Sequence, residues 1–189
     1  MKRIATHDSV TGESGHWLTW ILTPFARTQT KNLWEQYYAG CRLFDIRVKK
    51  FLGEWRGAHG WWFTREPIEK ILATLASLPD VKLTLTYEGR AENAEEFCRY
   101  ARELKAMFPE FHYGPVCSKY SKGSKGIKVQ YETLIPEDKE WLTLPTEQAF
   151  LPLDGKHWQT YLPIPRLWKL FYFRKVEFTC DVFKFVDFL

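Results

Sequence analysis

Cys41-Arg-Leu-Phe-Asp-Ile-Arg-Val-Lys49, followed after a short gap by Ala58-His-Gly60, is the stretch from which the fold is read. Leu43, Phe44, Ile46 and Val48 make an apolar run with few breaks. That is the pattern of a strand covered on both faces, as in a parallel sheet. Asp45 and Arg47 interrupt the run. Two residues apart on a strand, they point the same way. A buried acid and a buried base are costly unless paired with each other or with a ligand. Taken alone, the pair reads equally as a structural ion pair near a strand end or as part of a site. His59-Gly60 and the Thr6-His7-Asp8-Ser9 stretch shift the balance toward a site.

Working outward, Lys2 to Thr6 reads as a short strand that ends in His7-Asp8. A loop with Gly12 and Gly15 follows, then an apolar helix from His16 to Leu22 that Pro24 ends. Thr30 to Ala39 reads as a helix with Leu33, Trp34, Tyr37 and Tyr38 on its apolar face and Gly40 as its stop. Downstream, a Gly53-Glu54 turn leads to a return strand, Trp55 to Ala58. Pro67 suits the first turn of a helix from Glu66 to Ser77, with Ile68, Ile71, Leu72 and Leu75 as its buried stripe. Val81 to Tyr87 is a strand, and Asn93 caps an acidic-started helix that runs to Phe108. Phe111 to Val116 and Gly126 to Tyr131 read as strands around a basic, Gly/Ser-rich loop at 118–125. Glu132 to Pro165 reads as long loops, Arg166 to Asp181 as a helix and Val182 to Leu189 as a last strand. Strands alternating with helices argue for an α/β parallel sheet or barrel. No linker divides the chain, so residues 1–189 are expected to form a single domain.

The totals agree with one domain and a good-sized core: 189 residues, 45% hydrophobic and 26% charged. A net charge of +4 is too small to argue for nucleic acid, though it mildly favours anionic surfaces or phosphate-bearing substrates. Cys41, Cys98, Cys117 and Cys180 have no metal-ligand spacing. No stretch has the apolar core of a leader or the length of a membrane span. The expectation is a cytoplasmic protein or, if a leader is missing from the sequence, a secreted one.

Ligand sites in parallel sheets form at the carboxyl ends of strands. On the elements above, His7 and Asp8 end the first strand, Asp45 and Arg47 the second, His59 the third and Asp187 the last. Displacement at phosphorus needs a base on one side and an acid on the other. Imidazole suits both tasks, with an unperturbed pKa of about 6.5. The charge on the non-bridging oxygens needs a fixed cation, and Arg47 offers a planar donor fork.

Thr-His-Asp-Ser, then Gln29 and Gln36, then Ala-Gly-Cys-Arg-Leu-Phe-Asp-Ile-Arg, then His-Gly resembles the phosphatidylinositol-specific phospholipase C family, within the wider superfamily of similar phosphodiesterases. The likeness covers residues 4–60 and is greater to the bacterial branch; Val-Asp-Phe near the C-terminus fits the family's last barrel strand. The resemblance implies a small, distorted TIM-type (β/α) barrel and a two-histidine phosphodiesterase. It implies His7 as the base that takes the proton from the inositol 2-hydroxyl and His59 as the acid that protonates the leaving diacylglycerol oxygen, with a cyclic inositol phosphate as the other product. Asp187 would orient His7, Asp8 would assist His59, and Asp45 matches an acidic position beside the arginine.

The eukaryotic branch has a calcium-binding acid where Arg47 lies, so no metal and no cofactor are expected here. The bacterial members' inositol-contacting lysine aligns with Thr86, and Glu88 is nearby. Glu88, Arg90, Lys128 and Tyr131 are candidate substrate contacts by their position near strand ends. The inositol headgroup is therefore one reading, and another phosphodiester, lipid or soluble, is the alternative. Trp61 and Trp62 either pack under the barrel rim or, with Trp17 and Trp20, make a transient contact with a membrane surface. A non-catalytic barrel that binds a phosphorylated ligand or a partner protein is the remaining rival. No nucleic-acid partner is expected, and a monomer is.

Overall fold

The computed structural model describes residues 4–121, 129–134, 146–148 and 183–186. The chain enters through β1 (Ile4–Thr6) and leaves it at Asp8, whose φ of 49° turns the backbone sharply. Two short helices follow, α1 (Thr23–Ala26) and α2 (Leu33–Tyr38). The second starts at a reciprocal cap. The Asn32 side chain accepts from the Glu35 N–H, and the Glu35 carboxylate accepts from the Asn32 N–H. That cap begins the helix three residues later than the sequence reading, and it buries Leu33, Gln36 and Tyr37 while Trp34 and Tyr38 face solvent.

Next comes β2 (Cys41–Phe51), which turns at Leu52-Gly53 into β3 (Glu54–His59), and a second tight turn gives β4 (Trp62–Pro67). The Leu52-Gly53 pair has φ of 53° and 84°, the sign a two-residue hairpin loop demands. Helix α3 (Ile68–Ala73), β5 (Lys82–Tyr87), α4 (Ala94–Met107), β6 (His112–Ser121), β7 (Val129–Thr133), β8 (Thr146–Gln148) and β9 (Phe183–Val186) complete the described elements. Ile68, Ile71, Leu72 and Leu75 are buried as expected, although the regular helix is shorter than 66–77. Asn93 precedes α4 without a side-chain cap bond.

Among the described residues the strands form one mixed sheet in the order β7-β6-β5-β2-β1-β9-β8, with β3 and β4 off that path. The described strands do not close into a barrel. The pairs β2–β3, β3–β4 and β6–β7 are antiparallel; the first is the return strand expected at Trp55 to Ala58, whereas β4 was not expected as a strand. Phe44, Ile46 and Val48 of β2 and Leu83, Leu85 and Tyr87 of β5 pack with Phe97, Tyr100 and Leu104 of α4. The opposite face of β2 carries Asp45 and Arg47, and that of β5 carries Thr84 and Thr86. The helix expected at 16–22 is instead a set of turns ending in a 3-10 turn, Trp20–Leu22, with Trp17, Trp20 and Ile21 exposed. Its backbone makes turn bonds, Thr19 N–H to the His16 carbonyl and Leu22 N–H to the Thr19 carbonyl, and is tied to β4, where the His16 N–H donates to the Phe63 carbonyl at 2.7 Å. Pro24 lies within α1 rather than stopping a helix. β8 falls where only loops were expected. The helix expected at 166–181 lies outside the described residues, and so does Lys128. No helix among the described residues is long and apolar enough to cross a membrane.

Candidate active site

The edge of β2 explains how the site is built. β5 runs along one edge from Leu43 to Val48. β1 pairs with Cys41, Leu43 and Phe44, and β3 pairs from Val48 to Phe51, so both must share the other edge. They approach it from opposite ends, and their ladders stop on either side of Asp45, Ile46 and Arg47, which pair with β5 on the first edge. His7 follows the end of β1, and His59 ends β3. Continuing the β2–β3 register two residues past Gly57 brings His59 level with Ile46. Asp45 and Arg47 thus sit mid-strand, where the sequence reading put them at a strand end.

Arg47 is 1% exposed and lies at the centre of four side chains. Its Nε donates to Asp45 Oδ2 at 3.2 Å and contacts Asp8 Oδ1. Its Nη1 donates to Glu88 Oε1 at 2.9 Å, and its Nη2 lies 2.5 Å from His7 Nε2. A guanidinium has no acceptor, so that contact requires a lone pair on His7 Nε2. The His7 proton then sits on Nδ1, 3.1 Å from Asp8 Oδ2. His59 is arranged the other way round. Its Nδ1 lies 2.7 Å from the Ala26 carbonyl, which can only accept, so Nδ1 carries the proton and Nε2 faces Asp8 Oδ2 at 3.6 Å. One carboxylate oxygen therefore stands between two imidazoles.

Burial alone would push the Asp8 carboxyl upward. The Arg47 guanidinium and the His7 and His59 rings outweigh it and hold the carboxyl well below its ordinary value. Asp45 accepts from the Asp8 N–H at 3.3 Å and from the Thr86 hydroxyl at 3.1 Å. Gln29, fully buried, donates from Nε2 to the His7 carbonyl at 2.8 Å. Gln36 does the same for the Ser9 carbonyl at 2.8 Å. These amides fix the loop that presents His7 and Asp8.

The structure thus brings together His7, Asp8, Asp45, Arg47, His59 and Glu88. It does not bring in Arg90, which is exposed and 3.5 Å from Glu92. Tyr131 lies in β7 opposite Lys119. Asp187 lies outside the described residues; β9 before it ends with Val186 beside Thr6. Trp61 is 77% exposed, whereas Trp62 is 1% exposed and donates from Nε1 to Thr23 Oγ1 at 3.0 Å, under the rim rather than on it. Sequence reasoning missed the Ala26 carbonyl, which carries no side-chain signal, and the link from Glu88 to Arg47. The second had a signal: Thr84, Thr86 and Glu88 follow one period-two row on the face opposite Leu83, Leu85 and Tyr87.

His7, Asp8 and Asp45 also present ligand atoms within 4.8 Å of one another, a spacing a metal ion could use. The Arg47 Nε already bonds both carboxylates, which places a fixed positive charge against that spot.

No protein-family model matches the chain. The 1-phosphatidylinositol phosphodiesterase of Listeria monocytogenes is 27% identical to it over 113 residues, 57% of this chain and 34% of the relative. The chain thus spans about a third of the relative's length. The solved structure of phosphatidylinositol-specific phospholipase C from Listeria monocytogenes matches with a TM-score of 0.44 and 18% identity over 78% of this chain and 60% of that one. The sequence similarity agrees with the motif resemblance: the chain is similar to phosphatidylinositol-specific phospholipase C.

Proposed function

We propose, from that similarity and from the geometry around Arg47, that the chain is a metal-independent phosphodiester-cleaving enzyme of phosphatidylinositol-specific phospholipase C type, on a distorted barrel of which the described sheet is part. The observation that carries the reading is Asp8 Oδ2, which lies 3.1 Å from His7 Nδ1 and 3.6 Å from His59 Nε2. A base and an acid held across one carboxylate and one guanidinium are what attack at phosphorus needs. In the proposed reaction, the attacking hydroxyl displaces Arg47 Nη2 from His7 Nε2, which takes the hydroxyl proton. That oxygen bonds to phosphorus, the bond to the leaving alcohol breaks, and protonated His59 gives its Nε2 proton to the leaving oxygen. Arg47 neutralises charge on the non-bridging oxygens, and Asp8 stabilises the imidazolium at each stage. On phosphatidylinositol the products would be a cyclic inositol phosphate and diacylglycerol.

Thr86 favours a second reading of the headgroup. It aligns with the inositol-contacting lysine of bacterial members, but its hydroxyl is used by Asp45. A non-inositol or soluble phosphodiester would need no cation there. The exposed apolar rim comprises Trp17, Leu18, Trp20, Ile21 and Phe25, on the segment whose Ala26 carbonyl meets His59, and Trp61, in the turn after His59. It supports contact with a lipid surface.

The test is ³¹P NMR of products from phosphatidylinositol and from a panel of other phosphodiesters. A cyclic phosphate, insensitive to EDTA and lowered about 10²- to 10⁴-fold by His59→Ala, is expected. Turnover that survives His59→Ala, or that EDTA abolishes and calcium restores, would overturn the reading.

A further inference from the structure

Glu88 is 6% exposed in its side chain, and each of its oxygens has a partner. Oε1 accepts from Arg47 Nη1 at 2.9 Å, and Oε2 accepts from the Gly60 N–H at 2.9 Å. Arg47 belongs to β2, and Gly60 follows β3 directly. Glu88 follows β5, which lies along the other edge of β2, so the side chain crosses Arg47 to reach the turn beyond it. Its own N–H donates to the Val48 carbonyl at 3.0 Å, so the ladder extends past Tyr87 and fixes where the carboxylate starts.

The turn it reaches is the one that carries His59. His59 pairs with Trp62, which leaves Gly60-Trp61 as a two-residue loop, with Gly60 at φ 63°. Trp61 at the tip is 77% exposed. Lys49 approaches the Gly60 carbonyl only at 3.5 Å, and Nζ hovers 4.9 Å from the Trp61 ring. The bond from Glu88, whose side chain is 6% exposed, is thus a charged tie on this loop, and a carboxylate accepting from a backbone N–H is among the stronger hydrogen bonds.

We propose that Glu88 is a positioning residue that locks the His59 loop to Arg47, so that the acid and the phosphate-binding cation keep one spacing. This rests on the functional reading above. It differs from a substrate contact in that both carboxylate oxygens are spent on the protein's own groups, Arg47 and the Gly60 N–H. Rigid placement matters because a shift of about 1 Å in a reacting group can cost on the order of 10²-fold in rate.

Glu88→Gln and Glu88→Ala test it with two readouts. The first is turnover on the diester that wild type cleaves. Glu88→Gln keeps the volume but gives up one acceptor, so kcat should fall about 10-fold with KM within about twofold, and Glu88→Ala should fall further. Unchanged kcat, or a raised KM at unchanged kcat, would overturn the proposal. The second readout needs no activity. In ¹⁵N-labelled protein the Gly60 amide should be protected from exchange and His59 should show a single Nδ1–H tautomer; Glu88→Gln should weaken both while far-ultraviolet circular dichroism stays the same. If wild type cleaves nothing, the enzymatic reading fails alone, and the NMR comparison still decides the lock: an unchanged Gly60 amide and His59 tautomer in a folded variant would end it.

Discussion

The floor of the site and its rim differ in how firmly they are held. On the floor, Asp8, Asp45, Arg47 and Glu88 are buried, and each is tied to at least two others or to backbone. On the rim, Trp17, Trp20, Ile21, Phe25 and Trp61 are exposed, and their backbone is what the fold anchors. The two meet where His59 Nδ1 contacts the Ala26 carbonyl and where the Gly60 N–H donates to Glu88. Electrostatic work at phosphorus needs a cation that does not move, whereas contact with a lipid surface needs apolar side chains that can adapt.

The largest effect should come from the floor. Arg47→Ala leaves three buried carboxylates facing one another without their counter-charge. We expect a loss of about 3–5 kcal/mol in stability and, in any protein that still folds, on the order of 10³-fold in kcat/KM. Arg47→Lys keeps the charge but not the fork, so it should recover stability more than rate. Urea unfolding and steady-state kinetics check both, and a folded, active Arg47→Ala would erase the contrast between floor and rim.

Acid should find the floor next. Asp8 has its folded value held below the ordinary value of about 3.9. Its contribution is therefore present above the unfolded value and is lost as pH falls through the folded one. Thermal melts between pH 5 and pH 2 should show a decline that Asp8→Asn lacks. An equal decline in both proteins would place the acid sensitivity elsewhere.

The smallest effect belongs to the rim. Trp61→Ala should change stability by no more than about 0.5 kcal/mol, as exposed substitutions do. It should lower cleavage of vesicle-borne substrate a few-fold and leave a short-chain soluble diester untouched. A loss on both substrates would make Trp61 part of the floor.

The floor was the more legible region in the sequence. Asp45 and Arg47 announced themselves because charge inside an apolar strand must be answered, and His7 and His59 because they fall where the chain turns. What hid was the extent of β2. Val48 to Phe51 continues the strand pattern past the parallel ladder, so nothing marks where β5 stops and the hairpin begins. The rim misled for a different reason. Trp17, Trp20 and Ile21 have helical spacing, yet they cover no core, and the segment is held by bonds from its backbone to β4 instead. Period implies a buried face only where there is something to bury it against. In α2, spacing alone offered Trp34 and Tyr38 as core, whereas the wall takes Leu33, Gln36 and Tyr37.

The β2–β3 hairpin works as a ruler. Its arms pair from Val48–Gly57 to Phe51–Glu54 and turn over Leu52-Gly53. Trimming one rung from both arms would shorten the projecting tip while His59 kept its station, because the Val48–Gly57 rung sets the zero mark. Adding one residue to a single arm below that mark would slide His59 by roughly 3.4 Å and turn its ring through the sheet to the helix side. The ribbon can therefore lengthen or shorten without moving His59, so long as both arms change together.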